Sequence, residues 1–467
     1  MLRDAAQVNS RGERLKKALS EHSSLLGILL GSFLVFMSIG PYVNWDAEVE
    51  YQAAIGVVKW GLPYITSGNL VNQPPLGYYI DALFFKTLGL SYSTGVGVIT
   101  FFGLGSILLL YEIGRVFYDK RTGLLAAAVF GLTPWQAIMS RIFLIDAQCL
   151  FFSLSYLLIG ILAIRRGSRY LLFASGTLFG LATLTKAFSA FMLVPLASFY
   201  VFDKQKKLRS LWKSIAVFAV PALLLNLLWY EVVSRRGILS LLVHDDFNTL
   251  IPAEIVPSNF FLIYFFSRFL GIFFLLACFL SVFLSLSQRK LFASFLVPDL
   301  VCYLTIFLIA GLDMFLVLGI NLWVPYINVP KYTYPILPLF CLLSASLIGK
   351  CSSLPAWKNF TGSRRVLTYA VASAGLFLLF ASMAINMDSL SWMIGSAGSD
   401  YLLVIVEGKV GYPFELFSMN ENAHSWLLLG LAFVSIAVSL FWCNIDKIDS
   451  FSDNLRRSRP FNALMRH

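Results

Sequence analysis

The chain has 467 residues, 58% hydrophobic and only 13% charged, with a formal net charge of +11 and a mean hydropathy of +0.76. Soluble domains carry about 25% charged residues, so a water-soluble enzyme or binding module is excluded and an all-α polytopic membrane protein is expected. The six cysteines, at 149, 278, 302, 341, 351 and 443, lie in or beside apolar runs with no C-x-x-C pair, which argues against a disulfide framework or a zinc ribbon.

A polar basic arm, residues 1–24, precedes the first apolar run, which extends from about Leu25 to Tyr42. That run is long enough to span, and Asn44-Trp45-Asp46 is unlike a signal-peptidase site. An uncleaved first span is therefore expected. The polar segment 44–93 follows. It opens with Asp46, Glu48 and Glu50, and carboxylates are too costly in hydrocarbon to lie deeper than the interface. Val49, Ala53, Val57 and Trp60 fall on one helical face, predicting a short amphipathic helix over about Ala47 to Trp60, ended by Gly61 and Pro63. Pro74-Pro75 then stiffens the chain and interrupts any helix reaching it.

About twelve spans are predicted: 25–43, 94–116, 122–139, 143–163, 170–185, 188–202, 213–233, 260–286, 294–319, 333–349, 366–386 and 424–443. With the N-terminus in the cytoplasm, 27 of the 36 lysines and arginines fall in inside segments, eight fall outside and Arg268 lies within a span. This asymmetry is what the positive-inside rule requires. It accounts for the basic balance by topology and removes nucleic acid as a partner. The expected organisation is a cytoplasmic arm (1–24), a membrane domain (25–443) and a cytoplasmic basic tail (444–467).

A few polar residues on the external side stand out against this apolar background. Asp46 suits a general base at the membrane interface, although an acid in that place also caps a helix. Glu48 either assists it, binds a metal, or is a solvated charge. Asp146 sits a few residues into an apolar run and needs a partner or a water-filled cavity; Arg141 lies five residues before it. Lys186, alone between two apolar runs, must face an anion or snorkel to the surface. Lys331 precedes Tyr332, Tyr334 and Pro335 and serves equally well as an interface anchor. His244-Asp245-Asp246 has metal-ligand residue types but also reads as a solvated loop. Asp299, Asp313 and Arg268 lie within predicted spans and belong to no motif.

Asp46-Ala47-Glu48, Gly61-Leu62-Pro63-Tyr64 and Pro74-Pro75-Leu76-Gly77-Tyr78-Tyr79 together resemble the first external loop of the polyprenyl-phosphate-dependent glycosyltransferases. These form the membrane-embedded C superfamily, which includes protein O-mannosyltransferases and the aminoarabinose transferase of lipid A. The Arg141…Asp146 turn, Gly180-Leu181-Ala182-Thr183-Leu184-Thr185-Lys186 and Lys331-Tyr332-Thr333-Tyr334-Pro335 are similar to later motifs of the same family. The resemblance implies the glycosyltransferase C architecture and a sugar donor on polyprenyl or dolichyl phosphate. It also implies a lipid, glycan or protein acceptor, and transfer with inversion on the external face of what is expected to be the plasma membrane. It makes Asp46, Asp146 and Glu48 catalytic candidates. Arg141, which would orient Asp146 or meet donor phosphate, Lys186, Lys331, Tyr78 and Gln73 become substrate-binding candidates. A divalent metal on Glu48 and His244 is left open: Asn72-Gln73 stands where the aminoarabinose branch has Glu-Lys, so that branch's metal site does not carry over. The competing function is a lipid-linked saccharide transporter or flippase, which would want its charges near mid-membrane.

Overall fold

The computed structural model describes residues 23–37, 45–71, 73–202, 211–235, 272–317 and 334–353. The expected spans at 366–386 and 424–443, together with Lys331 and His244, lie outside these residues. Every described element is helical, and the only pairing of extended backbone among the described residues is an isolated bridge between Tyr64 and Leu70.

The helices are α1 (Ser23–Met37), α2 (Trp45–Trp60), α3 (Leu76–Leu88), α4 (Tyr92–Phe117), α5 (Lys120–Leu132), α6 (Pro134–Met139), α7 (Asp146–Arg166) and α8 (Arg169–Thr185). A 3₁₀ turn (Ala187–Met192) leads into α9 (Leu193–Phe202), followed by α10 (Leu211–Arg235), α11 (Ile272–Ser287), α12 (Ala293–Val317) and α13 (Leu337–Ser353). Their boundaries follow local chemistry. Ser91, Asp119 and Ser168 accept from the backbone N–H three residues on, at 3.0, 2.8 and 3.3 Å, and so start α4, α5 and α8. Pro134 occupies the first turn of α6, where its missing N–H costs nothing. Gly167 ends α7 in the left-handed conformation.

Among the described residues, three helical stretches, Tyr92–Phe117, Asp146–Arg166 and Leu211–Trp229, are long and apolar enough to cross a membrane, and five shorter apolar helices accompany them. With α7 at 21 residues, the bundle is about 30 Å deep. Helices α4, α5, α7, α8 and α13 form its middle, with α10 on α8, α11 on α13 and α12 on α9. The antiparallel course sorts the ends. Arg165 reaches from the end of α7 to the Val116 carbonyl at the end of α4 (2.5 Å) and lies over the Phe199 ring of α9. This end gathers Arg115, Lys120, Arg121, Arg165, Arg166 and Arg169. The start of α7, the end of α8 and the start of α13 lie at the other end.

The external segment departs from its reading as one helix and a loop. It holds two helices, because the Pro-Pro pair starts α3 rather than merely breaking the chain: Pro75 is the residue immediately before it. The buried face of α2 is also rotated from the expected one. It consists of Ala47, Glu50, Ala53, Ala54 and Val57, while Trp60 is 57% exposed. Small side chains let α2 approach α3 closely, and Trp60 instead meets Tyr64 edge-on at 6.2 Å. Gly61, at φ +76°, closes α2 as expected, and its carbonyl accepts from the Tyr79 hydroxyl of α3 at 2.7 Å.

A buried ionic cluster pins the end of the bundle where α11 finishes and α12 begins. Asp299 of α12 accepts from Tyr118 (2.9 Å), Ser346 (2.8 Å), Ser285 (2.7 Å) and the Lys350 ammonium. Lys350 also donates to the Ser281 carbonyl and hydroxyl at 2.6 and 2.9 Å. Removing one partner of a buried pair costs about 3–5 kcal/mol because the other charge is stranded. Lys350→Met should therefore lower the unfolding free energy measured by chemical denaturation by that order, and adding Asp299→Asn should recover part of the loss.

Candidate active site

Lys186 and Asp146 define the site. Lys186 ends α8 in extended conformation, and its ammonium lies 2.7 Å from Asp146 Oδ2. The two side chains are only 5% and 6% exposed. Asp146 is the first residue of α7, where exposed backbone N–H groups and the helix dipole favour a negative charge. The 3₁₀ turn after Lys186 is held to α7 by the Tyr156 hydroxyl, which donates to the Ser189 carbonyl at 2.7 Å. The lysine is thereby fixed in the bundle wall.

Helices α2 and α3 close over this end of the bundle. Glu50 of α2, 3% exposed, accepts from the Ile145 backbone N–H at 2.8 Å, directly before α7. Tyr51 packs edge-on against Phe85, Tyr92 and Phe143 at 5.4–5.6 Å, joining α2, α3, α4 and the segment before α7. Such aromatic pairs contribute about 0.5–1.5 kcal/mol each beyond their burial. Gly77 sits where a Cβ would lie 2.5 Å from Ile145 and 2.8 Å from Gln148 Oε1, so only glycine lets α3 come this near α7.

Tyr78 of α3 lies at the meeting point. It is fully buried, and its hydroxyl donates to Gln73 Oε1 at 3.4 Å. Burial raises its pKa well above the ordinary value, and the charges of Glu50, Asp146 and Asp46 reinforce the effect. One neutral phenol thus stands among carboxyl groups from α2 and α7. Asp46, in the first turn of α2, is half-buried.

Of the residues singled out from sequence, Asp46, Tyr78, Gln73, Asp146 and Lys186 come together. Arg141 is buried in the turn before α7, with its guanidinium 3.4 Å from the Thr100 hydroxyl, and burial lowers its pKa. The cation on Asp146 is Lys186 rather than Arg141. Glu48 lies on the exposed face of α2 and accepts from Gln52 at 2.9 Å; Gln52 in turn accepts from the Thr66 N–H. Among the described residues no three His, Cys, Asp or Glu side chains are placed to hold a metal ion.

Sequence reasoning assigned nothing to Glu50, Asp81 or Gln148, all buried here. A signal existed: Glu50 shares a helical face with Ala47, Ala53, Ala54 and Val57, and Asp81 interrupts an otherwise apolar stretch of α3.

Residues 72–229 match the family model described as dolichyl-phosphate-mannose-protein mannosyltransferase. YkcB and YycA of Bacillus subtilis (strain 168), both carrying the provisional name mannosyltransferase, are 28% identical over 158 and 160 residues. Those matches cover 33% and 34% of this chain, and the chain spans less than a quarter of either relative, 22% and 23%. The fold is similar to that of ArnT from Cupriavidus metallidurans bound to undecaprenyl phosphate, with a TM-score of 0.54 and 16% identity over 90% of this chain and 76% of ArnT. It is also similar to the archaeal oligosaccharyltransferase AglB from Archaeoglobus fulgidus in complex with an inhibitory peptide and a dolichol-phosphate. There the TM-score is 0.51, with 14% identity over 82% of this chain and 60% of AglB.

The Glu50 clamp predicts a local effect. Glu50→Ala should release α2 from the start of α7 at a cost of about 1–2 kcal/mol, the value of a helix-terminal acceptor. Hydrogen exchange over 45–60 should then quicken roughly tenfold while the interior of α7 keeps its protection.

Proposed function

We propose that this chain, a member of the glycosyltransferase C superfamily by its fold, moves a sugar from a polyprenyl-phosphate donor to an acceptor hydroxyl on the external face of the plasma membrane. The observation that carries this reading is the buried Lys186–Asp146 pair at the end of the bundle, with Tyr78 close enough to feel both Asp146 and the half-buried Asp46.

The chemistry follows from those positions. Transfer breaks the bond between the anomeric carbon and the donor phosphate oxygen and forms one to the acceptor oxygen. Asp46 takes the acceptor proton, since of the acids acting on Tyr78 it is the one left half-buried rather than buried. The leaving phosphate gains charge as the bond breaks. Lys186 moves part of its contact from Asp146 to that phosphate, and Arg141, already desolvated, adds a second preorganised cation. Asp146 keeps the lysine charged and aimed when no substrate is present. Tyr78 contributes a neutral O–H donor, and Gln73 holds it. Attack from the side opposite the phosphate inverts the anomeric centre. The lysines and arginines gathered at the far end of the bundle support an external site.

Radiolabelled polyprenyl-phosphate sugars, offered to membranes containing the wild-type chain or Asp46→Asn, test the reading. Wild type should consume donor and yield a labelled product. Asp46→Asn, equally abundant, should turn over about 10²–10⁴-fold more slowly, with donor KM little changed. Movement of labelled lipid across the bilayer without consumption would instead make the chain a transporter.

A further inference from the structure

Asp81 lies on the face of α3 that enters the bundle, and its side chain is completely buried. Gln148, in the first turn of α7, is buried equally and donates from Nε2 to Asp81 Oδ1 at 2.7 Å. The remaining oxygen of each group, Asp81 Oδ2 and Gln148 Oε1, has no hydrogen-bond partner among the described residues. Two acceptors are thus left over on the same two side chains, in a place where an unpaired polar atom is costly. An ionised Asp81 has no proton to offer either of them. A carboxylic acid does: protonated on Oδ2, it can donate to Gln148 Oε1 while accepting from Nε2, closing an acid–amide ring that satisfies both groups. A Cβ at Gly77 would come within 2.8 Å of Gln148 Oε1, so the glycine leaves this amide its space.

We propose that Asp81 is a neutral carboxylic acid in the folded protein and acts as a positioning residue, its ring with Gln148 holding α3, and with it Tyr78, against the first turn of α7 where Asp146 meets Lys186.

The surroundings favour the neutral form. Burial raises the Asp81 pKa well above the usual carboxylate range, Glu50 of α2 adds to this, and the Gln148 bond opposes both. No cation is paired with Asp81 among the described residues. On α3 itself, Tyr78 is one turn away and Lys86 is exposed. From α7, Asp146 stands beyond Gln148 with its charge taken up by Lys186 at the end of α8. From α4, the Tyr92 hydroxyl is engaged by the Phe143 N–H. The fold therefore keeps a proton that the unfolded chain releases above about pH 4. Stability from this group is greatest at low pH, falls as pH rises from there through the folded-state pKa, and is level beyond it.

The positioning role rests on the transfer reading; the neutral acid does not. The test uses the full chain, purified in nanodiscs. Asp81→Asn keeps both ring hydrogen bonds and removes the titrating proton, whereas Asp81→Ala removes the ring. Thermal melts between about pH 5 and pH 9, the range above the ordinary carboxylate pKa, should show Asp81→Asn gaining on wild type as pH rises. Asp81→Asn should transfer sugar like wild type, while Asp81→Ala loses about tenfold or more in kcat through misplacement of Tyr78. Failure of Asp81→Asn to fold, its loss of transfer, or melts parallel to wild type at every pH would overturn the neutral acid. Wild-type kcat in Asp81→Ala would overturn the positioning role. The melts need no donor, so a wild-type chain that transfers nothing would sink the enzymatic reading while the acid–amide ring is still decided.

Discussion

The arrangement depends on one buried ion pair. Taking an ammonium and a carboxylate out of water is unfavourable by several kcal/mol per ion, and only close contact and further hydrogen bonding offset it. Lys186 and Asp146 meet at 2.7 Å with almost no solvent on either, and the start of α7 adds a favourable dipole. Because the pair joins the end of α8 to the start of α7, it brings two successive helices to a common end. The 3₁₀ turn after Lys186, the segment before Asp146 and both helices of the external segment are then packed around it. A pair held this way suits exchange: a phosphate that replaces the carboxylate next to the lysine meets a cation already stripped of water.

The opposite end of the bundle shows what the same chemistry does when nothing is left over. Asp299 accepts from four donors and Lys350 donates to three acceptors, which uses every ammonium proton. Such a saturated network fixes helix ends and offers nothing to a ligand. At the end carrying Lys186, Asp81 and Gln148, which touch each other, each keep one buried oxygen without a hydrogen-bond partner among the described residues, whereas Asp299 and Lys350 leave none on their own charged groups. One protein thus has two ionic clusters, and their hydrogen-bond balance separates a structural one from one able to respond to a ligand or a proton.

The external segment is part of the bundle rather than a cover resting on it. Tyr51, Phe85, Tyr92 and Phe143 interlock across four chain segments, and Glu50 binds the backbone just before α7. Asp46 therefore stands on a scaffold anchored at several points, which is what its proposed role as a base would require.

Much of this was determined by sequence alone. Long apolar runs, sparse charge and the skewed distribution of lysine and arginine were enough for a helical membrane protein, because the bilayer leaves few alternatives. The polar residues Asp46, Asp146 and Lys186 stood out because charges beside apolar runs are costly and need a reason. Gly61 ended α2 as its backbone freedom predicts. Tertiary structure alone decided which charges touch. Arg141, five residues away, was the cation nearest to Asp146 along the chain, but the close approach of α8 to α7 supplied Lys186, 40 residues away, instead. Glu48 and Glu50 were adjacent acids of the same type, but the small-residue face of α2 turned one toward water and the other into the bundle. Asp81 acquired its partner from a helix 67 residues away, and a pairing that distant has no local pattern to announce it.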